Sequence, residues 1–283
     1  MSTLADRYRE FDSHRTSMVE RCRELSSLTL PSLLPPMNWT EDDSLAMPYS
    51  SASGRGVTAL ASRMLSALIP LNDLPFFRFM IKTGQEPSPE IESYLNTLSS
   101  QVYEKLRSQN LRSQIFQALQ HLIVCGDCLL VMEDDFSFRV LRLDQYVVRR
   151  GIEDQPIEII ALEYERPDEA GETPVDKGGT NDATYTSTGL YGRKGYLTRF
   201  CQYTKQEDGS WNVIKEDSEG TTIQTGTFTV LPFIPLRWTA ITGEDYGRSH
   251  CEEIFGDIKL LEAFTEASME GMAAGATFYM GVD

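Results

Sequence analysis

Ile123-Val124-Cys125-Gly126-Asp127-Cys128-Leu129-Leu130-Val131-Met132 holds the change of period on which the fold turns. Before it, residues 111–124 repeat their apolar positions at helical spacing, and Gly126 is placed to end that helix. After it, 129–133 and 136–143 read as a hairpin turning at Asp134-Asp135. Helices upstream and strands downstream predict an α+β chain.

Working back towards the N-terminus, Leu4, Tyr8, Phe11, Met18, Cys22 and Leu25 fall on a four-three spacing that only Arg15 interrupts. With charge on the other faces, residues 1–28 predict one long amphipathic helix in need of a partner surface. Pro31, Pro35 and Pro36 exclude its continuation, and 38–43 reads as an exposed connection. Val57, Leu60, Ala61, Met64, Leu65 and Leu68 line one face of a helix over 53–69, stopped by Pro70. Residues 76–81, Phe-Phe-Arg-Phe-Met-Ile, suggest a short aromatic strand. Ser88 and Pro89 open a further helix, with Ile91, Leu95, Leu98, Val102 and Leu106 on one side. The helices of this part occupy 53–126.

Working forward, strands are predicted at 157–165, 196–203, 211–214, 221–230 and 233–238, giving a β-rich block over 128–238. A turn at 207–210 joins two of them. The Gly-, Thr- and Asp-rich stretch 167–195 lacks periodicity and is expected to be a mobile loop. Ser249-His250-Cys251-Glu252 fits a capping box, after which Ile254, Ile258, Leu261, Phe264 and Thr265 make a helical stripe to about residue 273. Small residues from Gly271 to Ala276 suit close helix–helix contact.

Composition narrows the function. The 283 residues carry 26 Lys+Arg against 42 Asp+Glu, a net charge of −16. Residues 1–150 hold 16 bases and 18 acids, whereas 151–283 hold 10 and 24, so the excess acid sits in the second half. Such a chain does not hold nucleic acid by neutralising phosphates, nor dock on anionic membranes. No apolar run reaches bilayer-spanning length, and the N-terminus lacks a signal-peptide profile, so a soluble, intracellularly made protein is expected. Five irregularly spaced cysteines argue against a disulfide framework. Cys125 and Cys128 form a C-x-x-C without the exposed helix N-terminus that redox chemistry needs or the two further ligands that zinc needs. His14, His121 and His250 are scattered.

Motifs for catalysis are missing: there is no P-loop, H-E-x-x-H, G-x-S-x-G or EF-hand loop. Gly54-Arg55-Gly56 opens a helix but has neither a third Gly nor a preceding strand, so a helix start is the simpler reading than an anion cradle. Glu41-Asp42-Asp43 and Glu133-Asp134-Asp135 read as solvated turns. An enzyme reading would have Asp134 and Asp135 join Asp144 in a metal-dependent hydrolase, and another alternative is a monomeric module binding a partner through 1–28. No cofactor and no metal are expected.

Three segments, in order, carry a resemblance. They are Thr29-Leu30-Pro31-Ser32-Leu33-Leu34-Pro35; Ser53-Gly54-Arg55-Gly56-Val57 leading through Leu60-Ala61-Ser62 to Pro70 and Pro75-Phe76-Phe77; and Gly243-Glu244-Asp245-Tyr246-Gly247-Arg248-Ser249 at the mouth of the last helix. Together they resemble the portal proteins, or head-to-tail connectors, of short-tailed bacteriophages (podoviruses). His250 stands where relatives often have proline, which touches a local turn. Family members are much longer, so the resemblance implies a chain truncated before the clip, with a wing over 1–242 and the start of a stem or channel helix over 243–283. It further implies a ring of about twelve copies at one capsid vertex. Double-stranded DNA passes through such a ring without sequence-specific binding, during packaging and ejection. The implied partners are the major capsid protein, terminase, tail adaptor or nozzle proteins and internal core or scaffolding proteins. The implied location is the virion, after assembly in the host cytoplasm, with no membrane and no catalysis. Residues 243–283 contain nine acids against Arg248 and Lys259. A passage that lets a duplex slide must not grip its phosphates, so Glu252, Glu253, Asp257, Glu262, Glu266 and Glu270 are candidate channel-lining acids.

Overall fold

The computed structural model describes residues 3–279 apart from 38, 40–42, 71–74, 82–87, 134, 152 and 166–195. The stretch expected to be a mobile loop, residues 167–195, therefore lies outside the described residues, as do Glu41, Asp42, Asp134 and Asp283.

The change of period falls where the sequence places it. Helix α5 (Leu111–Cys125) ends as Gly126 takes φ 83° and returns its N–H to the Leu122 carbonyl. Strand β1 (Asp127–Met132) leaves directly from that turn and is buried on both faces. It pairs antiparallel with β2 (Phe138–Leu141) and with β8 (Phe233–Arg237), giving a three-stranded sheet in the order β2-β1-β8. A second, antiparallel sheet runs in chain order through β3 (Tyr146–Arg150), β4 (Pro156–Glu165), β5 (Leu197–Lys205), β6 (Trp211–Asp217) and β7 (Thr222–Phe228). Strand β3 was not foreseen. A single 3-10 turn, Leu143–Gln145, separates it from β2, and neither Gly nor Pro marks that turn.

The N-terminal helix is two helices, α1 (Leu4–His14) and α2 (Thr16–Leu28), not one. They part at Arg15, whose side chain is buried and bonded through Nε to Asp12 at 2.9 Å. Their partner surface lies within the chain. On α1, Leu4, Ala5 and the fully buried Tyr8 pack on Val147, Ile160, Leu162 and Phe200 of the second sheet. The Tyr8 hydroxyl donates to the Asp144 carbonyl at 3.0 Å, and Arg7 grips buried Glu158 with two nitrogens at 2.5 and 2.7 Å. On α2, Val19, Cys22 and Leu25 join the main core. Full burial of each Leu or Val among them is worth about 1.5–3 kcal/mol.

Helix α3 (Ala52–Leu68) buries Val57, Ala61 and Leu65 against that core. In helix α4 (Pro89–Ser108) Ile91 is exposed and Tyr103 is buried. The aromatic run is not a strand. Phe76, Phe77 and Phe79 stack edge to face, Phe76 lies on Tyr103, and the Phe79 amide donates to the Ser99 hydroxyl at 3.1 Å, so this run binds a helix face. The last helix is also broken, at Ile254, into α6 (His250–Glu253) and α7 (Phe255–Tyr279). Ser249 caps α6 by accepting from the Glu252 amide at 2.9 Å. The reciprocal half of the box is not made, because the Glu252 carboxylate faces Arg21 and Arg248.

All five cysteines are free and buried. Cys125 and Cys128 point into different cores, one under α2 and α3, the other under α5 and β2. Burial pushes the Cys251 thiol up to about 11, and the Cys128 thiol higher still.

Candidate functional site

The segment Gly243–Ser249 is the hinge piece between the last strand and α6–α7, and nearly every residue in it is anchored. Gly243 has φ 87°, a left-handed turn that favours glycine. The Glu244 carbonyl accepts from Arg237 at 3.0 Å. Asp245 accepts the Arg150 amide at 2.6 Å, and its carbonyl accepts Arg150 Nε at 2.9 Å. Arg150 also reaches the Pro235 carbonyl at 3.3 Å, so one guanidinium ties both sheets to the segment. The Tyr246 hydroxyl accepts the Val148 amide at 3.0 Å, and the Arg15 guanidinium lies 5.2 Å over the Tyr246 ring.

At its centre, Asp127 takes the Gly247 amide with both carboxylate oxygens, at 3.0 and 2.9 Å. Gly247 is closely packed: a Cβ there would stand 3.0 Å from Arg237 Cβ, the Gly126 carbonyl and the Thr239 carbonyl. Gly126 is needed from the other side, since its Cβ would meet the Arg248 and Ser249 backbone at 2.8 Å. The chain is sewn further by Trp238 N–H to Gly126 at 2.8 Å and by an antiparallel bridge between Thr239 and Arg248. Arg248 pairs with Glu244 at 2.9 Å and with Glu252 at 3.1 Å, and Arg21 of α2 joins Glu252.

Burial pushes the Asp127 carboxyl up to about 7, while the Gly247 amide and the Arg150, Arg237 and Arg15 guanidinium groups pull the other way. Between its ordinary value of 3.8 and this one, the folded state holds a proton that the unfolded chain has released. Its contribution to stability therefore falls as pH rises from about 4 to about 7 and is level above. Asp127→Asn is expected to remove that decline. Urea midpoints of the two proteins at several pH values across this window check it, and parallel curves would refute it.

The other residues singled out in the sequence lie apart from this seam. Pro31 and Pro35 sit in the turn after α2, where the Ser26 hydroxyl donates to the Leu30 carbonyl and accepts the Leu34 amide. Gly54 lets α3 touch that turn: a Cβ would lie 2.6 Å from the Thr29 carbonyl oxygen. Nothing lies within 4 Å of a Cβ at Gly56, so close packing explains one glycine of the pair. Pro75, Phe76 and Phe77 belong to the aromatic run on α4.

The six acids divide. Glu252 is engaged by Arg21 and Arg248, and Glu262 accepts the Tyr49 and Ser50 amides at 2.6 and 3.0 Å. Glu266 bonds the Tyr49 hydroxyl and, with Glu270 nearby, pushes that phenol up. Glu253 contacts His250 at 3.2 Å and Asp257 is exposed. Asp127, Arg150 and Arg237 were not singled out from sequence. The available signal was an acid inside the otherwise apolar run 127–132, facing an arginine at the end of another apolar strand.

The hydrolase reading finds no support. Glu133 pairs with Arg139, Asp135 accepts the Ser137 amide, and Asp144 pairs with Arg142. Among the described residues no three His, Cys, Asp or Glu side chains gather as metal ligands. Buried His121 has its imidazole pushed down to about 4. No described helix is long and apolar enough to cross a membrane.

Comparison with known proteins finds overall similarity to the portal proteins of short-tailed phages. The portal protein of Enterobacteria phage T3 is 26% identical over 277 residues, covering 92% of this chain and 50% of the relative. That of Escherichia phage T7 is 24% identical over 279 residues, with 92% and 50% covered, and that of Enterobacteria phage SP6 is 23% identical over 290 residues, with 96% and 53% covered. The chain thus spans about half the length of the curated relatives it matches. The family model for the bacteriophage head to tail connecting protein matches residues 1–283, and the chain belongs to that family.

Proposed function

We propose that the chain is the subunit of a portal ring at one capsid vertex, through which double-stranded DNA is packaged and ejected. The observation that carries this beyond the family match is the bare apolar face of α7. Leu260 and Phe264 are 70% and 69% exposed, with Gly256, Ala263, Ala267 and Gly271 beside them on the same side of the helix. Among its described side chains Ile258 alone is buried. An apolar helix with small residues on its open side suits a head-to-tail contact between copies, and such contacts close rings.

The role is structural, with no chemistry performed on the DNA. Major capsid protein, terminase, tail adaptor or nozzle proteins and internal core proteins are the partners that a vertex ring would meet. The place is the virion, after assembly in the host cytoplasm. Negative-stain microscopy or mass photometry of the protein tests the reading: a ring of about twelve copies is expected, and a monomer in every buffer would sink it. Exposed Glu253, which precedes the break at Ile254 and so stands off the apolar face of α7, is our candidate for the passage. Changing it to Lys is expected to leave the ring intact and to slow DNA translocation about tenfold, because basic side chains grip phosphates. Unchanged packaging rates would put this acid elsewhere.

A further inference from the structure

Between the Arg15 break, the outer edge of β3 and residues 244–248 lies an open cavity of about 570 Å³. Four arginines reach it: Arg15, Arg21, Arg149 and Arg248. Three acids do too, and two of those are engaged: Asp245 holds the Arg150 amide and Glu244 pairs with Arg248, while Glu10 stands on α1. Glu252 in turn engages Arg21 and Arg248.

Arg15 is different. It is 3% exposed, its Nε is taken by Asp12, and Nη1 and Nη2 are both buried without a hydrogen-bond partner. Buried donors of a charged group that are left unmet are costly, more so than those of a neutral group. Arg149 is exposed and has no ion pair among the described residues. Helix α2 also starts here without a side-chain cap and without an acid in its first turn, and Ser17 of that turn lines the cavity.

We propose that this cavity is an oxyanion site, in which a carboxylate or phosphate group lies against the free edge of Arg15 with Arg149 closing over it. Two oxygens on one centre match the fork of a guanidinium, and the helix end adds backbone donors. The group comes either as a free anion or on an acidic side chain of a second copy of the chain.

Titration calorimetry with inorganic phosphate and with acetate, at constant ionic strength, tests the site on the unassembled chain. Saturable binding is expected, weakened about tenfold or more by Arg15→Lys, which keeps the charge but loses the fork. Arg149→Ala, at an exposed position that does not risk the fold, is expected to weaken it at least severalfold. Absence of saturable binding, or binding unchanged in both variants, overturns the proposal. Repeating the titration on assembled rings separates the sources. Binding lost on assembly identifies a neighbour's carboxylate as the occupant, and binding retained identifies a free anion. This last arm rests on the ring reading, whereas the first does not, so a chain that never assembles would remove the ring and leave the site to be judged alone.

Discussion

Gly126→Ala is expected to cost about 2–4 kcal/mol of folding stability. Two costs combine. The residue sits at φ 83°, where alanine is disfavoured by about 1 kcal/mol. Its Cβ would also stand 2.8 Å from the Arg248 carbonyl carbon and the Ser249 nitrogen, and overpacking typically costs about 1–3 kcal/mol. The crowded atoms are backbone, so no rotamer change relieves them. Gly209 supplies the control, because its φ is 85° and nothing lies within 4 Å of its Cβ. Gly209→Ala is expected to show the conformational cost alone. Urea unfolding of both variants reads the difference directly, and equal losses would mean that the 247–249 backbone yields to the methyl group.

Leu260→Asp combined with Phe264→Asp is expected to abolish ring assembly while leaving the isolated chain as stable as before. Both side chains are more than two-thirds exposed within one chain, so charging them removes little intrachain packing, and surface changes of this kind usually stay within about 0.5 kcal/mol. Across a ring the same change would bury a carboxylate at every repeat of an apolar contact, at several kcal/mol each. Mass photometry should show monomers and no rings, with the thermal midpoint of the chain unmoved. Rings that persist would show that α7 meets its neighbours on another face. Ile258→Asp makes the contrast, since Ile258 is buried in the chain's own core and its loss should lower the midpoint itself.

Much of this architecture was legible in the sequence where local chemistry and packing agree. The Gly126 stop, the helix over 52–68 and the hairpin at 127–141 all follow from periodicity with a glycine, a proline or a turn at the right place. The errors share a cause. Arg15 is a charge interrupting an apolar stripe whose spacing on either side predicts one continuous helix. In three dimensions that arginine is swallowed beneath Tyr246, more than 200 residues away in sequence, and the helix breaks to let it in. Likewise Phe76 to Ile81 has the composition of a strand, but α4 takes its rings instead. The motif 243–249 was recognisable as a motif, whereas its purpose was not. Asp127, Arg150 and Arg237 hold it mostly through backbone atoms, and contacts to backbone leave little trace in the side chains they select.

The break at Ile254 makes α7 a lever. Twenty-five residues at about 1.5 Å each give an arm of roughly 37 Å. Its near end is pinned by buried Ile258 and by the Lys259–Glu24 pair, with the Tyr49 and Ser50 amides holding it at Glu262. Past Glu270 every described side chain is exposed. Beyond Glu262 about 25 Å of helix projects, and a bend of about 10° there would carry the far tip by roughly 4 Å while the sheets stay still. In the proposed ring of such arms, the bore would be set by how adjacent copies brace one another, and the stiffness of the seam at Gly126 and Gly247 would determine how much of any axial pull on the arms reaches the central strand β1.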